Sequence, residues 1–452
     1  MSGHRAIDPV LLEVLRNRLE AIADEMELTL LKSAASPIVK EGLDASAALF
    51  NIQGETIAQA AAIPIHLGAL QCAAQRIVRA FPPERMRDGD AFLLNDPYDG
   101  GTHLPDITLA LPVFSEGRAV ALACTMCHHQ DVGGRTPGSV PTDATELYQE
   151  GIIIPPTQLF RGGELDENLF DLIKRNVRLP EVFSGDLMAQ VAAGRLGAIR
   201  LRELFAAHGT ESVLDYIDEL LNRAEILTRR QVESIPDGEY PFEDYLDNDG
   251  IDLDRRVKIA VTVRVRGSSM TFDFTGTDEQ VRGPFNSVPA STLSAVYYAI
   301  RAISDPSIPN NGGCFRAVDA VLPEGSVVNP RPPAPSIHAM LPPPAPIVFT
   351  STIGARTGYG PMNPPEVMSG FPPLTTATSL LVPPMSRETK SRTSERSAAK
   401  RAPTTPAAGP ERKSVTGCRE ASPADTSPPR ERITRGTPGT PSPRSVSASP
   451  AR

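Results

Sequence analysis

Apolar residues recur along roughly the first 330 positions in two rhythms, one of three to four residues and one of two. The switches between them mark the elements. Asp8 and Pro9 have the form of a helix N-cap and first-turn proline. Leu11, Leu15, Leu19, Ile22, Met26 and Leu30 then follow at helical spacing, predicting one long amphipathic helix. Strand-like runs come next at Ala47–Ile52 and Glu55–Ala58, hinged about Asn51 to Gly54. Pro64 to Gly68 leads into a helix ending near Ala80, and Asp90–Leu94 predicts a strand.

Two apolar, β-branched runs, Asp106–Phe114 and Ala119–Cys127, flank Ser115-Glu116-Gly117-Arg118 and predict a β-hairpin. Pairing about that loop sets Asp106 opposite Cys127. Pro112 fits such a strand only at an edge or a bulge. Helical patterns fill Leu165 to Ser234, strongest at Ser184–Phe205 and Glu211–Ile226. Arg256–Arg266 then alternates polar and apolar, with Ser269–Phe274 as its partner across Gly267-Ser268, and Ser291–Ile303 predicts a helix. Strands and helices in separate runs point to an α+β fold with a hairpin at its candidate site, not a repeating βαβ array. No internal repeat stands out.

Composition divides the chain near Ala334. Of 45 prolines, 22 lie beyond it, and 15 Lys+Arg there face 7 Asp+Glu. The overall charge of −9 therefore hides a body near −17 and a basic end. Residues 1–335 read as one catalytic region and 336–452 as a Pro/Ser/Arg-rich disordered tail. An acidic body argues against a nucleic-acid partner. No apolar run is long enough for a membrane span. Five scattered cysteines and a start without a secretory pattern predict a reducing, cytoplasmic setting.

The hairpin brings chemistry to one end. His103 precedes and Asp106 opens its first strand, and His128 directly follows its second; of seven histidines, three fall between positions 103 and 129. Imidazole with carboxylate suits Mn, Fe or Zn. The plainer reading is that isolated His and Asp at strand ends are loop residues. His128 and His129 cannot face the same way in a strand, so one is an outer or substrate contact. Cys124-Thr125-Met126-Cys127-His128 also spells the c-type haem signature, although buried thiols are the default inside an apolar strand. A structural zinc site would need a second cysteine pair, and Cys72, Cys314 and Cys418 stand alone. Asn95 to Gly101 reads equally as a connector or as a wall of the site carrying Asp96 and Asp99. No phosphate-binding loop and no nucleophile elbow is present.

Several stretches together resemble the hydantoinase B/5-oxoprolinase family, which includes the α subunit of acetone carboxylase. They are Val39-Lys40-Glu41, Asp44-Ala45-Ser46, Pro64-Ile65-His66-Leu67-Gly68, Asn95-Asp96-Pro97-Tyr98 and Gly101 to Asp106. His128 to Gly134, Gln149-Glu150-Gly151, Phe274 to Thr277, Pro309 to Cys314, Pro323 to Gly325 and Asn329-Pro330 continue the series. The resemblance implies a metal-dependent subunit working with an ATP-using, hydantoinase A-like partner, with ATP bound by that partner. It makes His103, Asp106 and His128 the metal ligands. His129 and Asp131 become outer or proton-transfer groups, and Glu150 an acid/base candidate. The expected function is ATP-dependent opening of a hydantoin or 5-oxoproline type ring, a small cyclic amide. The alternatives are a ketone carboxylase subunit and a truncated, inactive or partner-binding product. After Pro335 the similarity stops, and a reading-frame shift or a genuine disordered tail explains the change.

Overall fold

A computed structural model of the chain describes residues 7 to 336. It opens with α1 (Pro9–Ser33), where the Asp8 side chain accepts from Val10 N, as the capping pattern predicts. Leu12, Leu15, Leu19, Ile22, Met26 and Leu30 form its buried stripe, while Leu11 is only partly covered. A short α2 (Pro37–Lys40) leads to the hairpin β1 (Ala45–Asn51) and β2 (Thr56–Gln59), then α3 (His66–Ala80) and β3 (Ala91–Leu94). The hairpin of β4 (Asp106–Ser115) and β5 (Arg118–His128) follows, with β6 (Thr157–Arg161) and β7 (Glu164–Leu165) behind it. Three helices occupy the predicted helical stretch: α4 (Glu167–Asn176), α5 (Pro180–His208) and α6 (Thr210–Glu233). The last described elements are β8 (Gly238–Leu246), β9 (Val257–Arg266), β10 (Ser269–Asp273), α7 (Pro289–Ile303) and β11 (Val318–Val321).

The strands form two sheets, in the order β2-β1-β5-β4-β3-β6-β7 and β11-β10-β9-β8. The larger is antiparallel throughout; the smaller ends in a parallel β10–β11 pair. The fold is therefore α+β, as expected. Helices cover the large sheet on both sides, which explains why β4 and β5 read as near-continuous apolar runs rather than alternating ones. Ala45, Ala47, Leu49, Ala123 and Cys127 pack against α1 and α5. Ile107 and Leu109 meet Leu187 and Val191 of α5 on the same side. Phe50, Ala110, Leu122, Cys124 and Met126 face the other way, onto Leu70, Ala73 and Ile77 of α3. The back of α3 packs on α7, which belongs to the core of the smaller sheet. Gly68 permits that approach: a Cβ there would meet the Tyr297 ring at 2.8 Å and Ser294 Cα at 3.0 Å.

The hairpin differs from expectation by one residue. Glu116 and Gly117 turn with φ of 50° and 79°, the left-handed pair that a two-residue loop requires. Between Val113 and Phe114 the register then shifts, because Val120 is an extra residue on β5. Beyond that bulge Asp106 lies opposite His128, not Cys127. Pro112 sits next to the bulge and past Ala110, the last β4 residue paired with β3, so no ladder bond to β3 is lost. Apart from Ser336, the tail with its question of disorder or frame shift lies outside the described residues. Among the described residues no helix is long and apolar enough to cross a membrane.

Candidate metal centre

Strand register builds the site. Ala45 pairs with Cys127 and Asp106 with His128, and His128 N donates to Asp44 O at 3.1 Å. Asp44, His128 and Asp106 thus stand level on three neighbouring strands. Each is an even number of residues from Ser46, Met126 and Ala110, so all three side chains emerge on the α3 face. His66, the first residue of α3, meets them there, with its Nδ1 2.7 Å from Ser46 Oγ.

His103 arrives on the loop that leaves β3. Asn95 pins that loop: its Nδ2 donates to Leu104 O and Ile152 O, and its Oδ1 accepts from Ile154 N. Asp96 caps the short turn Pro97–Asp99 by accepting from Tyr98 N, and Asp99 pairs with Arg76. These two acids serve the loop's own structure, which favours the connector reading.

The donor atoms converge closely. His103 Nε2 lies 2.9 Å from Asp106 Oδ1 and 3.1 Å from His128 Nδ1, and His128 Nδ1 lies 3.4 Å from the same oxygen. His66 Nε2 stands 3.6 Å from Asp106 Oδ2 and 3.9 Å from Asp44 Oδ1, and Asp44 Oδ2 stands 3.9 Å from His128 Nδ1. Thr102 Oγ1 donates to Asp106 Oδ2 at 2.7 Å, whereas Oδ1 is buried with the His103 and His128 ring nitrogens as its neighbours. A buried carboxylate oxygen whose neighbours are imidazole nitrogens is an arrangement that a cation satisfies. Among the described residues two groups have metal-binding geometry, His103–Asp106–His128 and Asp44–His66–Asp106. Their nitrogen and oxygen donors fit Mn, Fe or Zn. Asp44, with its side chain one third exposed, marks the open side.

Electrostatics couple the cluster. Burial works to raise the Asp106 carboxyl, but the His103, His128 and His66 rings hold it well below the usual carboxylate range. Burial works to lower His128 and His66, yet bonding to Asp106 and the charge of Asp44 raise both above the ordinary imidazole value.

The other expected site residues lie elsewhere. His129 takes the opposite side of the sheet: its Nε2 is 3.1 Å from Gln190 Oε1 of α5 and its ring 4.7 Å from that of Phe183. Burial pushes its pKa down. Asp131 accepts from the backbone N–H groups of Gly133, Gly138 and Arg178 and from the Arg178 guanidinium, fastening the turn after β5. Glu150 is buried, and its Oε1 accepts from Ser336 N at 2.8 Å. None of these three is in either metal-binding group. Cys124 and Cys127 are buried free thiols in cores on opposite sides of the sheet, so the C-x-x-C spacing cannot present them together to haem or zinc.

Asp44 and His66 were not expected as site residues. Both lie in stretches that carry the family resemblance, but each is a lone residue there. Only the pairing of β1 with β5 and the docking of α3 bring them to Asp106.

Residues 8–344 match the family model for hydantoinase B/oxoprolinase. A 5-oxoprolinase from Dictyostelium discoideum is 33% identical over 327 residues, covering 72% of this chain and 26% of that protein. The crystal structure of an ATP-dependent caprolactamase from Pseudomonas jessenii superposes with a TM-score of 0.68 at 32% identity, covering 75% of this chain and 58% of that one. Nucleotide-free acetone carboxylase also gives 0.68, at 22% identity, over 74% of this chain and 46% of that one, a likeness of fold alone. The chain thus spans less than two thirds of the length of these relatives.

Proposed function

Because the chain belongs to the hydantoinase B/oxoprolinase family, we propose that it is the metal-bearing subunit of an ATP-dependent cyclic-amide hydrolase. The substrate class is a small ring of the hydantoin or 5-oxoproline type. The single observation that carries this reading is the convergence of His103, His128 and Asp106 Oδ1, with Asp44 at its open side.

These residues would hold one divalent ion, which when bound supplies Lewis acidity and a water acidic enough to ionise near neutral pH. The chain's own groups do the rest. Thr102 fixes the Asp106 carboxylate and Ser46 fixes the His66 ring beside it, so that ligand and neighbouring imidazole are oriented before the ion arrives. His66 Nε2, facing both carboxylates, is the group placed to accept a proton at the site. His129, Asp131 and Glu150 act as positioning residues. They hold the end of β5 on α5, the turn beyond it, and the returning segment at Ser336.

An amide carbonyl is a poor electrophile, and this sequence has no phosphate-binding loop. Activation of the ring oxygen by ATP is therefore assigned to a hydantoinase A-like partner subunit. Transfer of the γ-phosphoryl group to the ring oxygen releases ADP. Water then adds at the activated carbon, the ring C–N bond breaks with the nitrogen taking up a proton, and a second water cleaves the resulting acyl phosphate to carboxylate and phosphate. The carboxylase alternative has only a likeness of fold behind it.

The test is ring-dependent ATP hydrolysis by the full chain with its partner subunit, alongside elemental analysis. We expect phosphate release with a cyclic amide and none with a ketone, and loss of bound metal in His103→Ala. Unchanged metal content in that variant would end the assignment.

A further inference from the structure

We propose that the N-terminus of α7, with the Ser291 hydroxyl, forms an oxyanion subsite whose ligand is the phosphoryl group carried by the ATP-activated ring. The identity of that ligand rests on the hydrolase reading above and deepens it. The subsite itself uses no metal-binding residue.

The helix enters through Val288-Pro289-Ala290-Ser291. The first N–H groups of a helix have no partner within it, Pro289 supplies none, and no side chain caps this end. Thr292 N already donates to Val288 O at 3.1 Å. Among the described residues, the Ala290 and Ser291 N–H groups are thus the donors left over in this turn. Ser291 Oγ is a separate observation. The residue is 2% exposed and its hydroxyl has no hydrogen-bond partner. Neighbouring hydroxyls are engaged: Thr292 Oγ1 donates to Val328 O and lies 3.0 Å from Ser287 Oγ, and Ser294 Oγ donates to Ala290 O. Helical side chains lean toward the N-terminus, so the bare hydroxyl is aimed at the end where the free N–H groups open. Those donors, with the positive end of the helix dipole, suit a tetrahedral oxyanion. A buried hydroxyl without a partner calls for one.

Two connections set this end beside the metal-binding residues. Gly68, two residues past His66, lies so close to Ser294 that a Cβ would meet its Cα and Oγ at 3.0 Å. Ser291 lies one turn before Ser294 on the same side of α7. Farther along α3, Gln71 abuts Gly312, and farther along α7, Arg301 reaches Cys314 of that same short turn. The two helices therefore run in the same sense, and α7 starts near the start of α3, where His66 stands. Asn286, just ahead of α7, donates from Nδ2 to Pro335 O at 3.0 Å. The adjacent Ala334 O accepts from the Tyr98 hydroxyl at 2.7 Å, on the loop that delivers His103. Pro289 is only partly buried, which leaves the helix end within reach. A phosphoryl group seated there holds the activated ring carbon on the side of the metal-binding residues.

The full chain, stripped of metal by chelator and titrated calorimetrically with inorganic phosphate, should bind one phosphate. Ser291→Ala should weaken binding by about tenfold or more without lowering the denaturation midpoint, because the hydroxyl it removes has no partner. Ser291→Asp, an acid of the kind helix N-termini accept, should abolish binding by charge repulsion. Acetate should bind far more weakly than phosphate. Acetate binding as tight as phosphate would give the subsite to a carboxylate and overturn the phosphoryl assignment. No saturable phosphate binding by the wild type, or undiminished binding by either folded variant, overturns the subsite. Metal content and ring-dependent ATP hydrolysis test the hydrolase reading separately, and neither enters this titration.

Discussion

Two successive residues at the end of β5, His128 and His129, enter opposite environments. His128 joins two carboxylates and two further imidazoles beside an opening, and its pKa is raised. His129 is sealed under α5 against Phe183 and Gln190, and its pKa is lowered. Residue type and position along the strand are nearly the same, so the pleat alone decides which one meets the charges. The α3 side of the sheet end gathers carboxylates and imidazoles beside an opening; the α5 side is filled by packed side chains.

The largest test of that division is Asp106→Asn set against His129→Ala. Asp106 offers an oxygen to both metal-binding groups. Its replacement should weaken metal binding well beyond the roughly 10–100-fold seen for partners that merely orient ligands, and abolish turnover. His129→Ala should keep the metal and lose about 2–4 kcal/mol of stability, from the cavity and the unpaired Gln190. Calorimetric metal titration and chemical denaturation read the two effects separately. Metal loss in His129→Ala with the fold intact would erase the distinction between the faces.

Ser46→Ala is a finer cut on the α3 side. It removes the partner of His66 Nδ1 and frees the ring to turn. A fall of about tenfold in metal affinity is expected, at the lower end for an orienting partner. Gln190→Ala on the other side also removes a histidine's partner, together with the donor to Ile107 O. It should cost about 1–3 kcal/mol of stability and leave affinity unchanged. A drop in affinity for Gln190→Ala, measured by competition with a chelating dye, would show that the sheet transmits between its faces.

Much of this was legible before the fold was known, and the exceptions have physical causes. The spacing from Leu15 to Leu30 and the Asp8-Pro9 start suffice for α1, because a one-sided helix exposes its period. The hairpin was readable from its turn, but the register was not. Val120 is one apolar residue among many in a strand buried on both faces, and nothing local distinguishes a bulge there. His103, Asp106 and His128 were legible because one hairpin gathers them. Asp44 and His66 depend on β1 pairing with β5 and on α3 docking at the strand ends, and such long-range contacts leave no periodicity. The alternation of His128 and His129 could be foreseen, although not which of the two would face the carboxylates.

The smallest expected effect is the pH dependence of the metal-free chain, where the two faces act with opposite sign. His66 and His128 have folded pKa values above the unfolded imidazole value. Their contribution to stability is complete below pH of about 6.5 and is lost as pH rises through the raised values. His129 has a lowered folded pKa, so the unfolded chain binds more protons and stability falls as pH drops below about 6.5. Asp106, held well below the usual carboxylate range, remains ionised throughout this interval. Each group changes stability by at most about 1.4 kcal/mol per pH unit. The two terms act on either side of about pH 6.5, so the metal-free wild type should be most stable near that pH and lose stability in both directions. His129→Ala removes the acid-side loss, so its stability should hold below about pH 6.5, where that of the wild type falls. Metal reverses the α3-side sign, because the ion must displace the protons that raised values favour. The loaded chain should therefore lose stability as the pH falls. Denaturation midpoints at pH of about 5, 6, 7 and 8, with and without metal, read all of these slopes. A metal-free His129→Ala profile that falls below about pH 6.5 as steeply as the wild type would mean that His129 does not carry the acid-side term.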